Sequence, residues 1–389
     1  MTVIFVAYQD FHSNSSIQIF SLANRMAGLA HRVHVCVPGG KQTATLLGQP
    51  QFSCCTYEEA LVNPESITDG TDFTIIHAWT PREHVRKFCE QLSNRLGCPV
   101  LVHLEDNEDV VTAANVGQEL DHFLVLSPSV IDQIVPDHLS HPRRFREFLK
   151  SASGVTMLID RLSEFVPEGK PHHLFWPAYN DRAFREMPVL LEERRQHGIQ
   201  DHEIVLAYTG HVTHANRDEV ASIYLAVAIL RRLGHPARLL RTGLDCVPVF
   251  PTVSKEMQEA VISLGVLDHA ELPKVLGMAN FLVQPGKANA FNDYRFPSKL
   301  PEFFSIGRPV LLPETNLGRF VRDGVDAVLL REGHAMEIVD RLLELIGNPE
   351  RQKALSRAAL EFCRKHFDWS TAAAGLIGFY ESVGAPVPG

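Results

Sequence analysis

A chain of 389 residues is long enough for two domains with separate cores, and its 45% hydrophobic and 21% charged content is that of an ordinary globular protein. A formal net charge of −9 argues against nucleic acid as a partner, because phosphate-backbone binding is driven by cations. No apolar run approaches the roughly 20 residues that span a bilayer, the N-terminus reads as a strand rather than a basic leader, and the seven scattered cysteines lack a Cys-x-x-Cys spacing, so a cytoplasmic protein without disulfide framework or structural zinc is expected.

The first half alternates short apolar runs with helical patterns, as a doubly wound parallel sheet requires. Val3 to Ala7 reads as a strand, Ile19, Leu22, Ala23, Met26 and Ala30 recur at helical spacing, and Val33 to Val37 returns as a strand. The loop before that helix ends in Asn14, Ser15 and Ser16, small polar residues able to cap a helix and to point N–H groups at an anion. Cys54 and Cys55 read as part of a buried strand. Phe73 to Trp79 is a further strand, followed by a helix from about Pro81 to Leu96 and a strand from Val100 to Leu104. It runs into Glu105-Asp-Asn-Glu-Asp109, four carboxylates in five residues, which as a charge run reads as a solvated acidic turn. Arg143, Arg144, Arg146 and Lys150 surround Phe145, Phe148 and Leu149 in a basic amphipathic stretch. It fits an ordinary surface helix or, over 143–150, a peripheral contact to anionic lipid.

The segment from His173 to Phe184 marks a boundary between a first domain, 1–178, and a second, 179–370. The second opens with a strand from Ile204 that breaks at Gly210-His211, and the next helix carries Val220, Ile223, Val227 and Leu230 on one face. Ala237 to Leu240 supplies a strand, and Val261 to Leu267 precedes a helix from Ala270 to Met278. The most informative segment follows. Phe281 to Val283 and Val310 to Leu312 are short buried strands, and between them Pro301 is tolerated only in a first helical turn, so a helix begins at about Ser298, its N-cap, and ends at Gly307. Lys299 and Glu302, three apart, share a face beside a Pro-Gly loop at the carboxyl end of a strand, where open α/β sheets bind phosphorylated ligands. By spacing alone the two also fit an exposed helix pair.

This segment, Asn292-Asp-Tyr-Arg-Phe-Pro-Ser-Lys-Leu-Pro-Glu302 with the Gly307-Arg-Pro-Val310 that follows, resembles the donor-nucleotide site of retaining glycosyltransferases of the GT-B architecture, particularly glycosyltransferase family 4. In that family a carboxylate, seven residues and a second carboxylate precede a small helix. The resemblance maps the second carboxylate to Glu302, as holder of the ribose hydroxyls, and the first to Tyr294, a departure with Asp293 adjacent. It implies that Ser298 and Lys299 meet the donor diphosphate with Pro297 in the donor site, that Gly210 and His211 stand where the family has Gly-Arg, with Arg217 either in place of its lysine or a surface arginine, and that Val266 and Leu267 wall the base, a pair that a core-strand role explains equally well. In the first domain it implies that Ser15 and Ser16 approach the donor phosphate and that Glu105, at the tip of the strand after Pro99, faces the sugar in preference to His103. Phe367-Asp-Trp-Ser370 and a helix over 371–384 resemble the family's closing segment, which crosses back to the first domain.

The resemblance implies two Rossmann-like doubly wound domains facing across a cleft, donor on the second and acceptor on the first. The activity implied is transfer of a sugar from a nucleotide diphosphate sugar, with retention of configuration, and with Glu105 and Lys299 as catalytic residues. Neither a metal nor a bound cofactor is expected beyond the nucleotide sugar as co-substrate; the acceptor is left open among glycans, lipid-linked glycans and small molecules. Two alternatives stay open: a nucleotide-sugar epimerase on the same fold, and a non-catalytic homologue serving as partner or scaffold subunit.

Overall fold

The computed structural model describes residues 1–68, 73–252 and 254–384. It divides into two compact units, 1–177 with 294–296 and the residues from 368 onward, and 178–293 with 297–367.

Among the described residues the first unit holds a seven-stranded sheet: β1 (Thr2–Val6), β2 (Arg32–Val37), β3 (Ser53–Thr56), β4 (Thr74–Trp79), β5 (Val100–Leu104), β6 (Gly154–Met157) and β7 (His172–Leu174). Its order is β3-β2-β1-β4-β5-β6-β7, every pair parallel. Helices cover both faces of such a sheet, so its central strands are continuous apolar runs rather than alternating ones. β1 is buried throughout. The edge strand β3 is the exception: Cys54 and Cys55 are only half-buried, not core, because an edge has a neighbour on one side only. The helix Asn14–Gly28 buries Ile19, Leu22, Ala23 and Met26, as their spacing predicts, but stops before Ala30, which is exposed at φ 63°. The helix Glu83–Leu96 ends on Gly97 in the left-handed region. The helix Trp369–Gly384 packs on Asn14–Gly28, and its Tyr380 hydroxyl sits 2.7 Å from His77 Nδ1 on β4.

The second unit repeats the plan with six strands among the described residues: β8 (Ile204–Thr209), β9 (Ala237–Thr242), β10 (Val261–Ser263), β11 (Phe281–Val283), β12 (Val310–Pro313) and β13 (Val328–Leu330). They run parallel in the order β10-β9-β8-β11-β12-β13. Val220, Ile223, Val227 and Leu230 of helix Arg217–Arg232 enter its core with Ile338, Val339 and Leu342. In both sheets the strand order reverses direction at one point, between β1 and β4 and between β8 and β11. Loops at the carboxyl ends of strands diverge at such a point and leave a crevice for ligands.

Candidate active site

In the second unit the loops after β8, β9 and β10 are bound to one another through glycines. Gly210 follows β8 at φ 134° and Gly243 follows β9 at φ 102°; the Gly210 N–H donates to Thr242 O at 3.2 Å and the Gly243 N–H to Gly265 O at 2.7 Å. A Cβ on Gly243 would lie 2.3 Å from Gly210 O, and one on Gly210 would lie 2.7 Å from Lys299 Nζ. Backbone therefore meets backbone here, and the Lys299 ammonium lies against the strand-end glycine, 4.3 Å from the centre of the Tyr208 ring. The tyrosine face is electron-rich and attracts a cation. Gly243→Ala is expected to cost on the order of 2 kcal/mol, through a positive φ and a backbone clash together. Thermal denaturation checks this against Gly347→Ala, whose Cβ would meet nothing within 4 Å; equal melting temperatures would refute the close approach.

The loop after β8 is pinned by its own side chains. His211 Nδ1 accepts the Leu244 N–H at 2.9 Å, and Asn216 donates to His211 O at 3.0 Å while accepting the Thr213 N–H at 2.7 Å. Arg217 pairs with its neighbour Asp218 at 2.9 Å. After β11, the buried Asn292 donates to Glu219 Oε1 at 2.5 Å, and Asp293 accepts a hydrogen bond from the Thr315 hydroxyl. The loop after β11 is thus tied to the helix that follows β8.

Several expectations are corrected. Ser298 is not an N-cap: the helix spans Leu300–Ser305, Lys299 takes the cap position without a side-chain hydrogen bond, and Pro301 falls within the first turn, where its missing N–H needs no partner. Glu302 is bonded outside its own helix, accepting from His269 Nε2 at 2.6 Å. The helix foreseen from Ala270 is a tight turn, His269–Glu271, followed by a helix, Leu272–Gly277, because Pro273 must sit in a first turn. Val266 is 59% exposed and Leu267 half-buried, so Val266 is not part of the core. Tyr294 groups with the first unit, where its hydroxyl donates to Glu164 at 2.7 Å. Pro297 is buried and Ser298 half-buried.

The acidic run of the first unit is not a solvated turn. Glu105, Glu108 and Asp109 are 8%, 3% and 4% exposed. Glu105 accepts from Ser15 Oγ at 2.5 Å and from Trp79 Nε1 at 2.9 Å; Glu108 accepts from Ser140 Oγ at 2.5 Å, and Asp109 pairs with Arg146 at 2.6 Å. Burial pushes the Glu105 and Glu108 carboxyls up to about 7 and raises Asp106 as well. Burial, helped by Glu105, also lifts the Tyr8 phenol, whose ring lies 3.8 Å under the Arg82 guanidinium. The helix is capped by Ser13, whose side chain accepts the Ser16 N–H, which leaves Ser15 for Glu105 and turns the Ser16 hydroxyl to Asp10 O at 2.9 Å. Of the basic stretch, Arg144 engages Glu83 and Asp132 and Arg146 engages Asp109, so two of its cations are matched within the unit. Directly after Trp79, Thr80 donates its N–H to His103 O at 3.2 Å and is 1% exposed at φ 70°, a strained conformation for a β-branched residue, with its hydroxyl lacking a hydrogen-bond partner.

Sequence reasoning missed Tyr208, Gly243, His269, Trp79 and Thr80. Only Gly243 carried a signal, a glycine directly after a strand. Among the described residues no group of three or more His, Cys, Asp or Glu is placed to hold a metal ion, and no helix is long and apolar enough to cross a membrane.

Two Rossmann-like parallel-sheet units in one chain define the GT-B fold. Residues 203–348, the greater part of the second unit, match the family described as Glycosyl transferases group 1. An uncharacterised glycosyltransferase of Methanocaldococcus jannaschii is 27% identical over 121 residues, 31% of this chain and 33% of that protein, so the match spans a third of the relative's length. Among solved structures, HepE of Anabaena in complex with UDP-glucose is similar at a TM-score of 0.71 and 14% identity, covering 98% of this chain and 100% of that one. Sucrose-phosphate synthase of Thermosynechococcus elongatus is similar at 0.71 and 14% identity over 98% and 99%. At these identities the likeness is one of fold.

Proposed function

We propose that the protein transfers a sugar from a nucleotide diphosphate sugar to an acceptor, with retention of configuration and without a divalent metal. One observation carries the reading: in the domain that matches glycosyl transferases group 1, the Lys299 ammonium lies against the glycine loop at the carboxyl end of β8. A cation there neutralises the charge that grows on a departing diphosphate, and electrostatic stabilisation of that kind is usually the largest catalytic contribution. Glu302 takes the ribose hydroxyls. The first unit takes the acceptor, with Glu105, poised near neutrality and oriented by Ser15 and Trp79, as the hydrogen-bonding acid. Same-face attack, with the leaving diphosphate accepting the acceptor's proton, accounts for retention without a protein nucleophile.

A second reading, nucleotide binding without transfer, is favoured by Tyr294: the position of the family's first carboxylate holds a phenol bonded to Glu164. One experiment separates the two. Nucleoside diphosphates and their sugars should raise the melting temperature of the wild type in excess chelator and not that of Glu302→Ala, whose lost charged hydrogen bonds are worth about 1.5–3 kcal/mol each. Sugar release or transfer by mass spectrometry then marks an enzyme, and the anomer by NMR its stereochemistry. Absence of stabilisation by every nucleotide would overturn both readings, and a metal requirement would overturn the metal-free one.

A further inference from the structure

The second unit contains a contact that the proposed chemistry does not use. Glu302 lies in the first turn of the helix Leu300–Ser305 with its side chain 14% exposed, and one of its oxygens stands 2.6 Å from His269 Nε2. The histidine comes from a different element, the turn His269–Glu271, 33 residues earlier in the chain. That turn is held by several contacts. Asp268 and Glu271 close a capping box around it, the Phe184 ring lies 5.1 Å from the imidazole, and Gly265 in the preceding loop accepts the Gly243 N–H at 2.7 Å. Asp268 and Glu271 are occupied with each other's backbone, and the charged group acting on the imidazole is Glu302, whose hydrogen bond raises its pKa against the opposing effect of burial.

A glutamate side chain loses rotamer freedom when it is ordered, and a ligand that must order it bears that cost. A carboxylate also has about four acceptor positions. One hydrogen bond from a fixed imidazole can therefore set its orientation and still leave acceptors for a vicinal diol. The logic is that of the outer partners that orient metal-ligating side chains.

We infer that His269 is a positioning residue: it holds the Glu302 carboxylate in the orientation that accepts the two ribose hydroxyls of a nucleoside diphosphate, and so sets the site's preference for ribonucleotides over dideoxyribonucleotides. This rests on the nucleotide-sugar reading given above. Two substitutions separate the donor from the ring: His269→Phe keeps the packing against Phe184 and removes the N–H, whereas His269→Gln keeps an N–H and removes the ring.

The test is calorimetry with UDP, GDP, ADP and CDP, followed by the 2′,3′-dideoxy form of whichever binds most tightly. His269→Phe should weaken the ribonucleotide between about tenfold and a hundredfold, the range that outer partners of metal ligands command, and leave the dideoxy form unchanged. His269→Gln should retain most of the ribonucleotide affinity. In the Glu302→Ala background, His269→Phe should cause no further loss, because the two side chains act as one unit. Equal weakening of both nucleotides would reduce His269 to a structural role and overturn the inference. So would wild-type affinity for the ribonucleotide in His269→Phe. If no diphosphate binds the wild type, the nucleotide reading itself fails, a result distinguishable from either. Should His269→Phe not fold, the ribo-to-dideoxy ratio in His269→Gln decides: a ratio near that of the wild type supports positioning by an N–H donor, and a collapsed ratio refutes it.

Discussion

Lys299→Ala should lower the turnover number and kcat/KM together, by a factor on the order of 100 or more, while weakening donor binding less. The bound donor already carries its diphosphate charge, so part of the lysine's effect appears in affinity. Cleavage of the glycosidic bond adds negative charge on the leaving oxygen, and only the transition state experiences that increment. The geometry bears on this role: Nζ is packed against Gly210 at the carboxyl end of β8 and lies over the Tyr208 ring. Steady-state kinetics at saturating donor check it. A variant with wild-type turnover would sink the leaving-group role, whatever its Michaelis constant; a surface cation would affect stability by less than about 1 kcal/mol and chemistry not at all.

Glu108→Gln should stabilise the protein at alkaline pH. The carboxyl is 3% exposed, and burial pushes it up to about 7 from the ordinary 4.5, so the fold favours the protonated form. Its contribution to stability is fully present below pH 4.5 and is lost as pH rises through 7. The interval corresponds to roughly 3 kcal/mol as an upper bound, at about 1.36 kcal/mol per tenfold change in proton affinity. A glutamine keeps the acceptor for the Ser140 hydroxyl and cannot ionise. Melting temperatures of the two proteins should therefore converge near pH 4.5 and separate by several degrees at pH 8. A constant difference across that range would show that the carboxyl ionises as freely as an exposed one.

The sheet framework was legible because both faces of a parallel sheet are covered, which leaves each central strand as an apolar run that composition alone reveals. β5 and β11 span the residues their apolar runs predict. The partners of charged residues were not legible. A spacing of three shows that Lys299 and Glu302 can meet on a helix, but says nothing of a histidine 33 residues earlier that reaches the carboxylate. The acidic run 105–109 reads as solvated only while its neighbours are unknown: Ser15, Trp79, Ser140 and Arg146, far apart in sequence, supply the hydrogen bonds that make burial affordable. Helix starts failed for a related reason, since capping depends on where the preceding loop is anchored. Ser13 takes the position that Asn14, Ser15 and Ser16 could each have filled.

The two units differ in how the chain is threaded through them. All of the second unit lies within residues 178–367, whereas the first gathers residues from before 178, a tripeptide at 294–296 and the stretch after 367. During synthesis, which proceeds from the N-terminus at about 5–20 residues per second, the first sheet is translated early but waits for the helix Trp369–Gly384 to cover its first helix and to bring Tyr380 to His77. Until then the His77 Nδ1 on β4 lacks its eventual partner. The second unit, translated later, uses no residue beyond 367. The order of translation and the order of completion are therefore reversed, and the nascent first unit is the part of the chain that stays incomplete longest.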